Sequence, residues 1–332
     1  MATLNDTYVD LIDVYKQQDG KGNIADLIEM LTEMNPILQD APAVECNLGA
    51  RHRHSVRTGL PSVAWGKLYQ GISQSKSTRA QVEDTTGFVE GLSTVDERLL
   101  ALSGNGAAVR SSEAMGFVES MNQEVTSKIF YGNSASDPEQ FMGLAPRFND
   151  TSAANGNQIV DAGGSGSDNT SIWFVTWGDN QTQLLYPQGT SAGLKREDMG
   201  RQRVLDADGN PYYVKEEMFA WHVGLAVKDW RYIVRIANID VSDMQAGTVQ
   251  LYDFLRSAYY KLQNRRAAGG KLAMYCNRDV LEALDRLASN QGSSDSFVRL
   301  TRREIDGEEV LDYRGIPIRE SDALLNTEAA VS

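Results

Sequence analysis

Side chains that bind metals or form covalent links are scarce in this sequence. Its 332 residues include two cysteines and three histidines. Cys46 and Cys276 lie far apart and in no CxxC spacing, which favours free thiols over a disulfide framework. His52 and His54 follow Cys46, but no second Cys or His pair completes a tetrahedral zinc set. We therefore expect no metal site and interpret the two histidines as exposed residues of a hairpin.

Long hydrophobic runs are also lacking. No stretch of about 18 apolar residues occurs, and no basic region followed by an apolar run stands at the N-terminus. We therefore expect no membrane-spanning helix and no secretory signal peptide. The charge balance is acidic, with 45 Asp and Glu against 32 Lys and Arg and a formal net charge of −13. Because a phosphate backbone repels such a surface, general nucleic-acid binding is disfavoured.

The usual signatures of catalysis and cofactor binding are missing. No G-x-S-x-G elbow occurs, and no serine or cysteine has an arguable histidine partner. Residues 163–167 lack the Lys-Ser/Thr and the glycine spacing of a phosphate loop. Residues 206–210 resemble the start of a calcium loop, but the glutamate at its twelfth position is missing, which favours a β-turn. We expect no catalytic residue, no cofactor and no metal.

The sequence does contain one long amphipathic pattern, between residues 113 and 131. Apolar side chains recur there every three or four positions, a spacing that places them on one side of an α-helix. They are Ala114 and the expected core residues Val118, Met121, Val125 and Ile129. Ser111 and Ser112 are candidate N-caps, and Gly132 and Asn133 are expected to end the helix with positive φ. At about 1.5 Å per residue the helix would be about 28 Å long and could act as a spine.

Two segments before this helix carry opposite charge. Residues 1–42 hold eight acidic residues and two lysines, and residues 43–80 hold six basic residues and one glutamate. Glycines and a proline interrupt the first segment, which favours an extended arm with one or two short helices. The second alternates like an exposed strand at 50–56 and predicts a long hairpin. A solvated hairpin and a loop that docks on a neighbouring subunit both fit this pattern. For the docking loop, the expected inter-subunit contacts are Arg51, Arg53, Arg57 and Lys67 with Asp6, Asp10 and Asp13.

The rest of the chain mixes strands and helices, which indicates an α+β fold. A short helix at 93–102 has Thr94 and Glu97 as a candidate capping box. Strands are predicted at 171–177, 183–186, 211–214, 221–227, 232–236, 271–275 and 315–318. Helices are predicted at 249–262 and at 278–288, the second capped by Asn277, and a hairpin is predicted to turn at Asp306-Gly307.

Two passages carry a family resemblance. The spine helix ends in Tyr131-Gly132, and after a polar loop come Pro138 and then Gly143-Leu144. Later, the Asn277-capped helix precedes the stretch Gly315-Ile316-Pro317-Ile318, with Ser321-Asp322 beyond it. Both passages resemble the major capsid proteins of tailed bacteriophages, which have the Hong Kong 97 fold. The candidate peripheral hairpin at 212–239 precedes the axial helix, an order similar to the permuted variant of a Bordetella podovirus capsid protein.

The resemblance implies a division of the chain and a function. The implied segments are an N-terminal arm at 1–42, an extended loop at 43–90, a spine helix with peripheral domain at 91–245 and an axial domain at 246–332. The implied function is a non-enzymatic subunit whose hexamers and pentamers form an icosahedral virion capsid around phage DNA, without sequence-specific DNA binding or membrane contact. Assembly is expected in the host cytoplasm, with a cement or decoration protein, a scaffold and a portal as candidate partners. The alternatives are an α+β enzyme with an unrecognised site and another phage structural protein.

Overall fold

The computed structural model describes residues 33, 35–206, 208–263, 270–289, 300–305 and 308–332. The expected contact residues Asp6, Asp10 and Asp13 lie outside the described residues, as does the predicted turn at Asp306-Gly307. In chain order, the described helices are α1 (Ile37–Asp40), α2 (Glu97–Leu102), α3 (Gly106–Tyr131), α4 (Val241–Ala246), α5 (Leu251–Lys261) and α6 (Arg278–Ser289). The described strands are β1 (Ala43–Glu45), β2 (Arg51–Gly59), β3 (Thr78–Asp96), β4 (Ile159–Asp161), β5 (Asn169–Trp177), β6 (Thr182–Tyr186), β7 (Leu194–Leu205), β8 (Pro211–Val227), β9 (Ile233–Asp240), β10 (Lys271–Cys276), β11 (Thr301–Ile305), β12 (Glu308–Tyr313) and β13 (Ile316–Glu320).

The described residues fall into two compact units. The smaller unit comprises Glu33, Phe88–Thr126 and Gly193–His222, and the larger unit comprises 35–87, Ser127–Ala192 and Val223–Ser332. In the smaller unit, β7 pairs with β8 in antiparallel register from Leu194↔Trp221 to Leu205↔Pro211. Its apolar centre includes Phe117 of α3, which stacks on Phe219 of β8 with ring centroids 5.4 Å apart.

The larger unit is built on a mixed sheet around β5. This strand is antiparallel to both β10 and β9, and β10 is in turn parallel to β13. All nine residues of β5 are buried. The apolar faces of α5 and α6 cover β9 and β10 through Leu255, Val280 and Leu284. Burying each of these aliphatic side chains contributes about 1.5–3 kcal/mol, so this layer is the main core of the unit.

The spine helix forms, but it begins earlier than predicted. It has 26 residues and starts at Gly106, which makes it about 39 Å long at about 1.5 Å per residue. Asn105 caps its first turn, with its side-chain oxygen accepting from the backbone N–H of Ala108 at 3.2 Å. The prediction that Ser111 and Ser112 cap the helix is therefore wrong. The predicted end at Tyr131 is confirmed.

One expected core residue of the spine is not in the core. Met121, Val125 and Ile129 are buried, but Val118 is 41% exposed. Phe117 takes its place and packs against Phe219. Positions 117 and 118 both lie within the three-or-four-residue spacing, so the partner strand decides which of them faces inward.

Two further predictions, on a hairpin and on a helix cap, are also wrong. The long hairpin pairs β7 with β8 and lies at 194–227, whereas a hairpin at 212–239 was expected. The β7 sequence LKREDMGRQRVL is mostly polar and exposed, so it lacks the apolar alternation that identifies a half-buried strand. The capping box of Thr94 and Glu97 is absent as well. Thr94 belongs to β3, and Asp96 caps α2 by accepting from the backbone N–H of Arg98 at 2.8 Å.

Candidate subunit interface

The predicted hairpin between the arm and the spine is present. Its strands β2 and β3 pair in antiparallel register from Arg51↔Thr85 to Gly59↔Thr78. Residues 60–77 connect the two strands without helix or strand, and nearly all of them are exposed. The strands are the stem of the hairpin, and we call residues 60–77 its tip. The tip has few contacts to the rest of its own chain, which leaves its side chains available to another molecule.

The tip carries large apolar side chains that face solvent. Trp65 is 98% exposed and Leu68 is 91% exposed. The full set is Leu60, Val63, Trp65, Leu68, Tyr69 and Ile72. Lys67, one of the expected contact residues, lies among them and is also exposed. Several large, exposed apolar side chains in one loop are typical of an interaction site rather than of an ordinary surface loop.

The base of the stem contains a buried polar cluster. His52 is 8% exposed, and its cross-strand partner is the buried Asp84. Arg147 donates from Nη2 to Oδ1 of Asp84 at 2.7 Å, and it also donates to the backbone oxygen of Leu225 at 3.2 Å. His54 Nδ1 lies 3.9 Å from the other carboxylate oxygen of Asp84. Arg147 therefore ties the base of the hairpin to the body of the larger unit.

The burial of His52 and the partial burial of His54, whose side chain is 11% exposed, contradict the expectation of two exposed imidazoles. Burial lowers the pKa of His52 and of His54, because the charged form would lose its hydration. For His54 the carboxylate of Asp84 acts in the opposite direction but is outweighed. Burial also raises the pKa of the nearby Cys46 thiol to about 11, so this free cysteine is unreactive at neutral pH.

The structure divides the basic residues of the stem into two groups. Arg51 and Arg53 both form ion pairs with Glu83 of the same hairpin, at 3.6 Å for Arg51 Nη1 and 2.6 Å for Arg53 Nε. Arg57 is placed differently, because its cross-strand partner is Arg79. Two of the arginines expected to contact another subunit thus already have an acidic partner in their own chain.

A further site escaped the sequence reasoning. In the larger unit, the carboxylate of Glu328 accepts hydrogen bonds from Arg235 Nη2 at 2.7 Å, from the hydroxyl of Ser171 and from the hydroxyl of Tyr131. The side chains of Arg235 and Glu328 are 4% and 5% exposed. The backbone of Glu328 also bridges to Asn169 of β5. No sequence signal marks this pair, since its members are 93 residues apart.

Comparisons with known proteins decide the family. The family model of the major capsid protein GP7 matches residues 19–332. The chain belongs to this family of capsid proteins. A solved structure of bacteriophage epsilon15 has 36% sequence identity to it and a TM-score of 0.78, covering 100% of this chain and 99% of that one. The capsid of bacteriophage JBD30 matches at 10% identity with a TM-score of 0.52, over 89% of this chain and 92% of that one, and this likeness concerns the fold alone. No curated protein matches the chain.

The fold of this capsid protein is thus the mixed helix-and-sheet, Hong Kong 97-like fold that the resemblance implied. The structure also explains the glycines of the passage after the spine helix. Gly143 donates its N–H to the oxygen of Gly132 at 2.8 Å. A Cβ on Gly143 would lie 2.6 Å from the Lys128 oxygen, and one on Gly132 would lie 2.6 Å from the oxygens of Lys128 and Phe141. Gly132 is not among the residues with positive φ, so the predicted reason for this glycine is wrong. It allows close backbone approach instead.

The capsid protein shows two further absences, both limited to the described residues. No three His, Cys, Asp or Glu side chains there come together as a metal-binding group. No helix in the same residues is long and apolar enough to cross a membrane.

Proposed function

We propose that copies of this capsid protein assemble, as hexamers and pentamers, into an icosahedral shell that encloses phage DNA, and that the hairpin tip of each copy docks on a neighbouring copy. The observation that carries the docking is the exposed apolar set between Leu60 and Ile72. Family membership supports the shell, since the GP7 family is one of major capsid proteins.

The composition of the tip suits a protein–protein contact. Interfaces are enriched in aromatic side chains, and a small number of them usually carries most of the binding free energy. Trp65 and Tyr69 are such candidates, and both are fully exposed in the isolated chain. Burying one large apolar side chain is worth about 1.5–3 kcal/mol before the costs of ordering the loop. Repetition at every subunit contact would multiply a modest affinity into a stable shell.

The stem suits the role of a fixed support for the tip. The Asp84–Arg147 ion pair at its base is largely buried, with side chains 2% and 19% exposed. This pair and the antiparallel register hold the direction in which the tip leaves the subunit. Docking then costs less conformational entropy than it would for a hairpin with disordered strands, because the flanking strands are already ordered.

The remaining features of the shell follow from the family resemblance. We assign residues 1–42 to the N-terminal arm, 43–90 to the extended loop, 91–245 to the spine helix with the peripheral domain, and 246–332 to the axial domain. The shell would enclose DNA without binding a particular sequence, which agrees with the net charge of −13. Assembly in the host cytoplasm would involve a scaffold, a portal and a cement or decoration protein as partners. Membership of a family of capsid proteins supports a structural rather than an enzymatic role.

Replacement of the tip tests the docking. A variant in which a short Gly-Ser linker joins Gly59 to Thr78 should melt as a cooperative subunit near the wild-type temperature but form no closed particles by electron microscopy. A second variant, Trp65→Ser with Leu68→Ser, keeps the length of the tip and should also fail to assemble. Leu205→Ser is the matched control, because it removes an exposed leucine, 56% exposed, from a different hairpin. Closed particles from the linker variant would refute the docking role.

A further inference from the structure

The end of the stem nearest the tip places two arginines side by side. Arg57 of β2 and Arg79 of β3 are direct cross-strand partners, and both are exposed. Directly opposed residues of an antiparallel pair project from the same face, about 5 Å apart at Cβ. Among the described residues, neither arginine has an ion-pair partner, whereas Arg51 and Arg53 of the same strand share Glu83.

This arrangement costs the isolated subunit some stability. Like charges directly opposite each other on a sheet are destabilising. An anion that binds both guanidinium groups would turn the repulsion into attraction, because each guanidinium offers several N–H donors in a planar fork that suits a carboxylate. The pair also lies at the border of the apolar tip, since Gly59 and Thr78 are the next paired residues. A partner that covers the tip would thus reach the arginines as well.

We propose that Arg57 and Arg79 form a carboxylate-binding clamp, and that its occupant is the acidic segment at residues 1–42 of a second copy of the chain. This inference rests on the proposed docking of the hairpin between copies. Charge complementarity selects the occupant, because this segment has eight acidic residues against two lysines. Asp6, Asp10 and Asp13 are the carboxylates we assign to it. Within the wider contact expected from the sequence, the clamp singles out Arg57, since Arg51 and Arg53 already form ion pairs with Glu83.

The test compares two double variants that remove equal charge from the same strand pair. Arg57→Gln with Arg79→Gln removes the clamp, and Arg51→Gln with Arg53→Gln removes the arginines that are paired within the hairpin. Full-length protein is assembled without DNA over a series of salt concentrations, and the critical concentration for particle formation is measured by light scattering. The melting temperature of the unassembled subunit is measured in parallel.

We expect the two variants to behave in opposite ways. Loss of the clamp should raise the critical concentration about five- to thirty-fold, flatten its dependence on salt, and leave the subunit's melting temperature unchanged or slightly higher. Loss of Arg51 and Arg53 should lower the melting temperature slightly and leave the salt dependence of assembly as in wild type. Charge reversal at the clamp (R57E with R79E) should block assembly, and adding D6K, D10K and D13K should restore it in part.

Several results would overturn the clamp. Wild-type assembly by the clamp variant, or absence of rescue by the combined reversal, contradicts the assigned occupant. A defect that appears only in DNA-filled particles would assign the arginines to DNA and equally refute the inference. Failure of the clamp is distinguishable from failure of the docking, because the linker variant lacking residues 60–77 reports on docking alone. If the linker variant fails to assemble while Arg57→Gln with Arg79→Gln assembles normally, the docking of the tip is supported and the clamp is refuted.

Discussion

Replacing Glu328 by glutamine should destabilise the capsid protein strongly. In the folded chain this carboxylate neutralises Arg235, whose guanidinium also donates to the Phe148 oxygen at 2.8 Å and to the Ser171 hydroxyl at 3.0 Å. The amide of glutamine can still accept a hydrogen bond, but it carries no charge. The variant therefore leaves the Arg235 cation buried with neutral partners only.

The magnitude follows from the burial of the pair. Removing one partner of a buried ion pair costs about 3–5 kcal/mol, because the remaining charge is left uncompensated. A protein of this kind is stable by about 5–15 kcal/mol, so the loss is a large share of the total. At about 2 °C per kcal/mol for a chain of this size, the melting temperature should fall by about 6–10 °C.

The assay is a double-mutant cycle followed by urea and thermal unfolding of the unassembled subunit. Glu328→Gln, Arg235→Met and the combined variant are compared with wild type. The combined variant should recover part of the loss, because it leaves no unpaired charge in the interior. Asp253→Asn is the control, since it breaks an exposed ion pair. The side chains of Arg256 and Asp253 are 59% and 62% exposed. That change should cost about 0–1 kcal/mol.

Two results would refute this reasoning. If Glu328→Gln unfolds at the same urea concentration as wild type, the pair does not contribute as its burial requires. If the combined variant loses the full sum of the two single losses, the two side chains are not coupled.

Three further changes give distinct expectations. Val125→Asp should yield no soluble folded subunit, because an unpaired buried carboxylate costs several kcal/mol. Val118→Asp, on the exposed side of the spine helix, should melt at the wild-type temperature. Equal behaviour of the two variants would contradict the orientation of the helix. Gly143→Ala should reduce the free energy of unfolding by about 1–3 kcal/mol, because its Cβ would collide with backbone oxygen atoms. A urea midpoint equal to that of wild type would count against the close approach. Burial lowers the pKa of His52 and His54, so the unfolded chain binds protons first, and the stability present above about pH 6.5 should decrease as pH falls below it. Replacing both histidines by asparagine should weaken the fall of the melting temperature below about pH 6.5, and an unchanged pH dependence would refute the assignment.

The elements that sequence predicted correctly have strong local signals. The strand at 171–177 is centred on the apolar run Ile172–Val175 and lies within the fully buried β5. The helix at 278–288 was predicted from its apolar period and from Asn277, whose side chain accepts from the N–H of Val280 at 2.9 Å. Apolar periodicity and caps depend on residues a few positions apart, so they can be recognised without knowledge of the fold.

The failures concern residues whose environment is set by distant segments. β7 was missed because its mostly polar residues carry no apolar alternation and it is held by pairing with β8. His52 and His54 were expected to be exposed, but both lie beside the buried carboxylate of Asp84 at the base of the stem, where Arg147 forms an ion pair with it. Polar residues give no periodic signal of burial, since their burial depends on which partners arrive from elsewhere in the chain.

The sequence alone determined that the chain has a long spine helix, an α+β fold and a charged hairpin, and its motifs sufficed to indicate the capsid family. Only the tertiary structure decided that Arg51 and Arg53 bind Glu83 while Arg57 faces Arg79. It alone revealed the Arg235–Glu328 pair as well. The physical reason is that periodicity records contacts within a turn or a strand, whereas register and burial are fixed by long-range pairing that the order of residues does not display.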